Sequence, residues 1–211
     1  MPRPKTSPAR TPGRERQRAA TVGRAVDAAE SLLAEGVPFS EISVEQVISR
    51  AGIARSTFYA HFDDLGHLLR ALSQGVVTEI IAAARAWMDL DEIVDRDELY
   101  TIMASLVQTY LRREKLLAAL AEAATSDPDV RSEFRRLLGA GHVELAKHIT
   151  RGRDRGFVRA DVDAEPTAGW LVWMLERGLY QQIRVAKKRD VTRHTRALTD
   201  IVWWTLYDVD R

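Results

Sequence analysis

Arg55, Ser56, Thr57, Tyr59 and His61 lie close together in the chain, and each side chain can hydrogen-bond. Ile53, Phe58 and Phe62 are interleaved with them and are apolar. On a short helix this gives one buried edge and one polar, cationic, aromatic edge. Such an edge suits the major groove of DNA, about 12 Å wide. Arg55 is the best base reader, because its guanidinium can take guanine O6 and N7 together, for about 1–3 kcal/mol of discrimination. Ser56 and Thr57 can serve phosphate or base, while Tyr59 and His61 suit phosphate oxygens.

The elements that must position these groups are legible on either side. Val44, Val47, Ile48 and Ala51 follow the i, i+3, i+4, i+7 spacing of one buried helix face. Ser43 caps that helix, and Gln46 three residues later completes a capping box; Ser43 is also placed in the DNA-contacting set. Gly52 makes the tight turn into a reading helix over 54–61. Two helices so joined form a helix-turn-helix, whose second member reads bases. A first helix over 14–34 carries the stripe Val22, Ala25, Val26, Ala29, Leu32 and Leu33 and ends at Gly36.

Asp63 or Asp64 can cap a fourth helix over 64–88, followed by an acidic loop over 89–97. Helices are expected over 97–113, 115–124 and 128–152, the last opened by Pro128 at its first position. A turn over 152–159, a helix from Glu165 to about Lys187 and a final helix capped by Thr192 complete the chain. No stretch shows the sustained alternation of strands, so the fold class is all-α.

Composition bounds the function. A chain of 211 residues that is 45% hydrophobic and 29% charged fits a soluble globular protein of one or two domains. No apolar run approaches the 18 or so residues of a membrane span, and the basic, proline-rich start lacks the apolar core of a signal peptide. The absence of cysteine rules out disulfides and thiolate metal sites and suits the cytoplasm. The net charge of +1 hides an asymmetry: residues 1–24 carry seven Lys and Arg against Glu15 alone. Residues 1–13, with Pro2, Pro4, Pro8 and Pro12, have the composition of a disordered basic arm. It is either a solubilising tail or an arm that reaches phosphates or the minor groove.

Residues 16–72 resemble the DNA-binding domain of the TetR family of bacterial transcription regulators. The resemblance rests on Ala28-Ala29-Glu30-Ser31-Leu32-Leu33, Gly36, Ser43-Val44, Ile48, Ala51-Gly52-Ile53, Thr57-Phe58-Tyr59-Ala60-His61-Phe62 and Leu68-Leu69. It implies that Thr57, Tyr59 and His61 touch DNA. Ala54 stands where the family commonly has a capping hydroxyl residue, and Leu65 where it often has a lysine.

The resemblance further implies a domain organisation of helix-turn-helix over 14–62, connecting helix over 64–88 and ligand-binding and dimerisation domain over 63–211. It implies a homodimer paired through the last two helices and a repressor released from a palindromic double-stranded operator by a small apolar or aromatic effector. On the last helix Leu198, Ile201, Val202, Thr205 and Val209 form a stripe that Trp203, Trp204 and Tyr207 widen; by itself this reads as monomer core, and the resemblance shifts the reading to pairing. Candidate effector-pocket residues are Trp87 and Met88; Tyr100, Met103, Val107 and Tyr110; Phe134, Leu138 and His142; and Trp170, Met174, Leu175 and Gly178. Stripes of this kind are core more often than pocket.

The five histidines share no metal-ligand spacing, and no His-Glu-x-x-His, phosphate-cradling glycine loop or nucleophile elbow is present. No enzyme, cofactor, metal or membrane role is therefore expected. The competing class is an all-helical carrier of hydrophobic ligands, or an all-helical enzyme, without specific DNA binding.

Overall fold

Local signals set several helix ends in this chain, among them both ends of the helices Val44–Ala51 and Pro128–Arg155. The computed structural model describes residues 12–92 and 95–208, so the predicted basic arm, up to residue 11, lies outside the described residues. Among them every regular element is helical. The chain divides into two units, 1–68 and 69–211, within its fourth helix.

The first unit holds α1 (Pro12–Ala34), a 3-10 turn (Phe39–Glu41), α2 (Val44–Ala51), α3 (Arg55–Tyr59) and the first turn of α4 (Leu65–Met88). Ala25, Ala28, Ala29, Leu32 and Leu33 of α1, with Val47 and Ala51 of α2 and Phe58 of α3, are buried. The predicted capping box forms: the Gln46 amide donates to Ser43 Oγ at 3.2 Å, and the Ser43 amide donates to Gln46 Oε1 at 2.7 Å. Gly52 closes α2 in the left-handed region at φ 60°, where a Cβ is penalised. Arg50 ties α2 to the end of α1, donating to Ser31 Oγ at 2.8 Å and to Glu35 Oε2 at 2.9 Å.

The second unit holds the rest of α4, then α5 (Arg96–Arg112), α6 (Glu114–Ser126), α7 (Pro128–Arg155), α8 (Ala164–Gly178), a π-helical turn (Leu179–Ile183) and α9 (Val191–Leu206). α7 packs on α6 and α8, and α5 packs on α9. Asp127 caps α7, its carboxylate accepting from the amides of Asp129 and Val130, and Pro128 occupies the first turn as predicted.

Several boundaries in the second unit differ from the sequence reading. α7 runs through Gly152 to Arg155. Gly152 is a packing residue: a Cβ there would lie 2.3 Å from Val158 Cγ2, and its carbonyl accepts from the amides of Phe157 and Val158. The turn is made instead by Gly156 at φ 83°. The long helix predicted to reach Lys187 ends as an α-helix at Gly178 and widens into the π-helical turn. Thr192 lies inside α9, which follows Asp190.

The buried face of α9 also differs from the predicted stripe. It consists of Thr195, Thr199, Val202 and Leu206, whereas Ile201 is exposed and Val209 lies outside the described residues. The two threonines are buried with their hydroxyls satisfied, each donating to the carbonyl four residues earlier, at 2.8 and 2.9 Å.

A closed polar chain runs through the core of the second unit. His148 is fully buried on α7, with Nδ1 3.0 Å from the Met88 carbonyl and Nε2 2.6 Å from the Tyr207 hydroxyl. A carbonyl only accepts, so the proton sits on Nδ1 and Tyr207 donates to Nε2. Trp87 Nε1 then donates to the Tyr207 oxygen at 2.6 Å. Every polar atom of the chain is used, and the imidazole is held neutral: burial lowers its pKa from 6.5 to about 4.

Between those two values the unfolded chain binds a proton that the folded chain refuses. Stability therefore falls as pH drops from about 6.5 to about 4, by about 3 kcal/mol across the window. His148→Gln is expected to be less stable than wild type at pH 7.5, with the gap narrowing by about 2 kcal/mol at pH 4.5 in denaturant titrations. A constant gap would show that the folded histidine takes up the proton.

Candidate nucleic-acid interface and apolar cavity

A five-residue helix cannot persist alone, so α3 takes its geometry from its packing. Phe58 is fully buried and meets Phe62 at a 5.4 Å ring separation. That fixes the rotation of α3 and turns Arg55, Ser56 and Tyr59 outward, all three exposed, with Thr57 half-buried beside them. Ala54 precedes the helix with extended backbone and no side-chain cap. The helix is shorter than the predicted 54–61, because Ala60 and His61 lie in the turn after Tyr59.

Arg55 is held between two neighbours. Its guanidinium pairs with the Glu45 carboxylate of α2 and lies over the Tyr59 ring, 5.5 Å from its centroid. Glu45 is held below the usual carboxylate range by a hydrogen bond from its own amide and by the Arg55 charge, and Arg55 is raised in turn. Only Nη1 of the guanidinium meets Glu45; Nε and Nη2 do not contact it. Ser43 is engaged in its capping box. His61 is half-buried, and its Nδ1 is enclosed without a hydrogen-bond partner among the described residues. Asp64 is spent as the cap of α4, accepting from the His67 amide at 2.6 Å, and Asp63 lies 3.3 Å from the His67 ring.

The second unit contains an apolar cavity, partly open to solvent. α4 contributes Val77, Ile80, Ile81, Ala84 and Met88, and the end of α8 with the π-helical turn contributes Val172, Leu175, Glu176, Leu179 and Tyr180. Leu106, Tyr110, Leu117, Phe134, Leu138 and Gly141 complete the wall.

Of the residues proposed for a pocket from sequence, Met88, Tyr110, Phe134, Leu138 and Leu175 are brought together here. The others lie elsewhere for identifiable reasons. Trp87 is locked to Tyr207, and Met103 and Val107 are fully buried core. Tyr100 stacks under Arg196, 4.6 Å from its ring centroid. His142 Nε2 donates to the Glu165 carbonyl at 3.0 Å, joining α7 to α8. Met174 packs on the core, and Trp170 is 79% exposed, on the outer side of α8. Gly178 is not part of the wall; a Cβ there would meet no atom within 4 Å, and the residue marks the junction with the π-helical turn.

Sequence reasoning missed the α4 wall and Glu176. The spacing of Val77, Ile80, Ile81 and Ala84 was a usable signal for the first. A single carboxylate inside the apolar stretch 168–183 was one for the second. Among the described residues no group of three or more His, Cys, Asp or Glu could hold a metal ion, and no helix is long and apolar enough to cross a membrane.

Residues 25–72 match the family described as bacterial regulatory proteins, tetR family, and residues 95–176 match the tetracyclin repressor-like C-terminal domain. The chain is 28% identical over 153 residues to the HTH-type transcriptional regulator EthR of Mycobacterium tuberculosis, covering 72% of this chain and 70% of that one. Salmonella enterica GusR superposes with a TM-score of 0.70 at 19% identity, covering 88% of this chain and 95% of that one. FadR from Bacillus subtilis, solved with stearoyl-CoA, gives 0.69 at 15% identity, covering 87% and 98%. A Saccharomonospora viridis protein solved with choline gives 0.68 at 21%, covering 90% and 99%. The structural likenesses establish the fold. The two family matches, which fall on successive segments and together span more than half of the sequence, identify the chain as a member of the TetR family of transcriptional regulators.

Proposed function

We propose that this regulator is a repressor that binds a two-fold symmetric DNA site as a homodimer, one α3 per half-site, and is released when a small apolar effector fills the cavity. It acts in the cytoplasm, where its operator is. The reading is carried by one observation: Phe58 is wholly buried while Arg55, Ser56 and Tyr59 stand exposed on the same short helix. Arg55 reads a base; Thr57 and Tyr59, with Ser43, Ser56 and His61 around them, set the register on the phosphates.

Dimerisation is supported by apolar side chains left outside the core. Trp170 and Trp173 on α8, and Ile201 and Trp204 on α9, are 79%, 43%, 46% and 50% exposed. Exposed large apolar groups in such number favour a partner surface, and a two-fold pair supplies two readers. An effector role for the cavity is supported by its apolar wall and by two proteins of the same fold solved with small molecules, stearoyl-CoA in one and choline in the other.

Selection from random DNA, followed by anisotropy titration, tests the DNA reading. Arg55→Ala is expected to relax preference at one base position at a cost of about 1–3 kcal/mol, while Thr57→Ala and Tyr59→Ala weaken binding on every sequence. Intact operator affinity in all three would remove α3 as the reader. Glu45→Gln frees Arg55 and is expected to strengthen binding to any DNA and steepen the salt dependence by about one released ion; unchanged affinity and slope would show that Glu45 does not compete. Trp170→Glu combined with Trp204→Glu is expected to give a monomer by size-exclusion with light scattering, and a persistent dimer would place the interface elsewhere.

A further inference from the structure

The cavity wall is apolar except at a few points, and two of these carry unused hydrogen-bonding capacity. Tyr110 is 5% exposed, and its hydroxyl has no hydrogen-bond partner among the described residues. The Glu176 side chain is 11% exposed, and its Oε2 likewise has none. The Arg177 guanidinium approaches that oxygen only to 3.7 Å, and its side chain is 61% exposed. Buried polar atoms are nearly always satisfied, so two unsatisfied ones on one cavity wall require an explanation. Neither Arg177 nor Arg184 belongs to the wall; the Arg184 guanidinium lies over the Tyr180 ring, 4.6 Å from its centroid. The wall therefore holds an acid and no base.

We propose that this cavity selects an apolar molecule bearing an N–H or O–H donor, an amine, alcohol or primary amide, and rejects one with an anionic head. The inference rests on the reading of the cavity as the effector site. A carboxylate only accepts, so the ligand must donate to Glu176 Oε2. A phenol hydroxyl both donates and accepts, so Tyr110 can serve the same head group from a second direction. A carboxylate or phosphate head would set like charges together away from water. The neighbourhood follows the same logic. Burial raises Glu176 with Arg177 opposing the rise, and burial raises Tyr110 with the Arg184 charge opposing and Glu176 adding to it. Glu176 lies in the last turn of α8, and the helix widens directly after it at Leu179–Ile183. Turns of this kind recur at functional sites.

Four probes with one apolar body separate the outcomes: phenylbutylamine, phenylbutanol, phenylbutyrate and butylbenzene. Each is titrated calorimetrically into the full chain at pH 8. The amine and the alcohol are expected to bind about tenfold or more tighter than the acid and the hydrocarbon. Glu176→Gln is expected to shrink the preference for amine over acid to about threefold or less, and Tyr110→Phe to shrink that for alcohol over hydrocarbon similarly. Tyr110→Phe keeps the ring and removes an unpaired hydroxyl, so its melting temperature should match or exceed that of wild type. Equal binding of all four probes, or preferences unchanged in both variants, overturns the head-group inference and leaves the cavity as an effector site. Binding of none of the four overturns both.

Discussion

The proton on Nδ1 of His148 fixes the end of α4. It goes to the Met88 carbonyl, which also accepts from Arg151 Nη2 at 2.6 Å. The last carbonyls of a helix have no partner within it, and here α7 supplies two donors to one of them. Trp87 is drawn to Tyr207 and buried, while its neighbour Met88 lines the cavity. The same helix contributes its middle turns to the cavity wall and its first turn to the helix-turn-helix unit. Under the proposed function, a ligand pressing on Ile80, Ile81 and Ala84 meets a helix whose far end is already anchored. Protonating His148 would reverse the Nε2–Tyr207 hydrogen bond, leave the Tyr207 proton without its acceptor and place a charge in the core, while the Nδ1 contact to Met88 stays.

The DNA-reading unit follows a different economy. α3 is short and uncapped, and its orientation comes from Phe58, from the left-handed turn at Gly52 and from the well-capped α2 beside it. Its charge is restrained as well. The Arg55–Glu45 pair is exposed, so it contributes little to stability. Its consequence under the proposed function lies in binding: an acceptor on DNA that approaches Arg55 Nη1 meets the Glu45 carboxylate there.

Much of this was legible in the sequence because its signals are local. The capping box at Ser43 and Gln46, the glycine at Gly52 and the proline at Pro128 each act within a turn of their own position, and each sets the end it was expected to set. What failed was the choice of neighbour. Periodicity places Trp87, Met103 and Trp170 on apolar faces; it cannot say that one meets Tyr207, another fills core and the third faces outward. Thr195 and Thr199 were hidden because their hydroxyls satisfy themselves on their own helix. Gly152 read as a helix end because its cause is long-range crowding by Val158. No local residue pattern announces the π-helical turn after Gly178.

Hydroxyl-radical footprinting of the full chain on DNA selected from random sequence tests the central claim most directly. The account expects two symmetric protected patches about 10 base pairs apart, one helical turn, each centred on a half-site of the same sequence. Uniform protection that follows salt rather than sequence, or a single unsymmetrical patch, would contradict it.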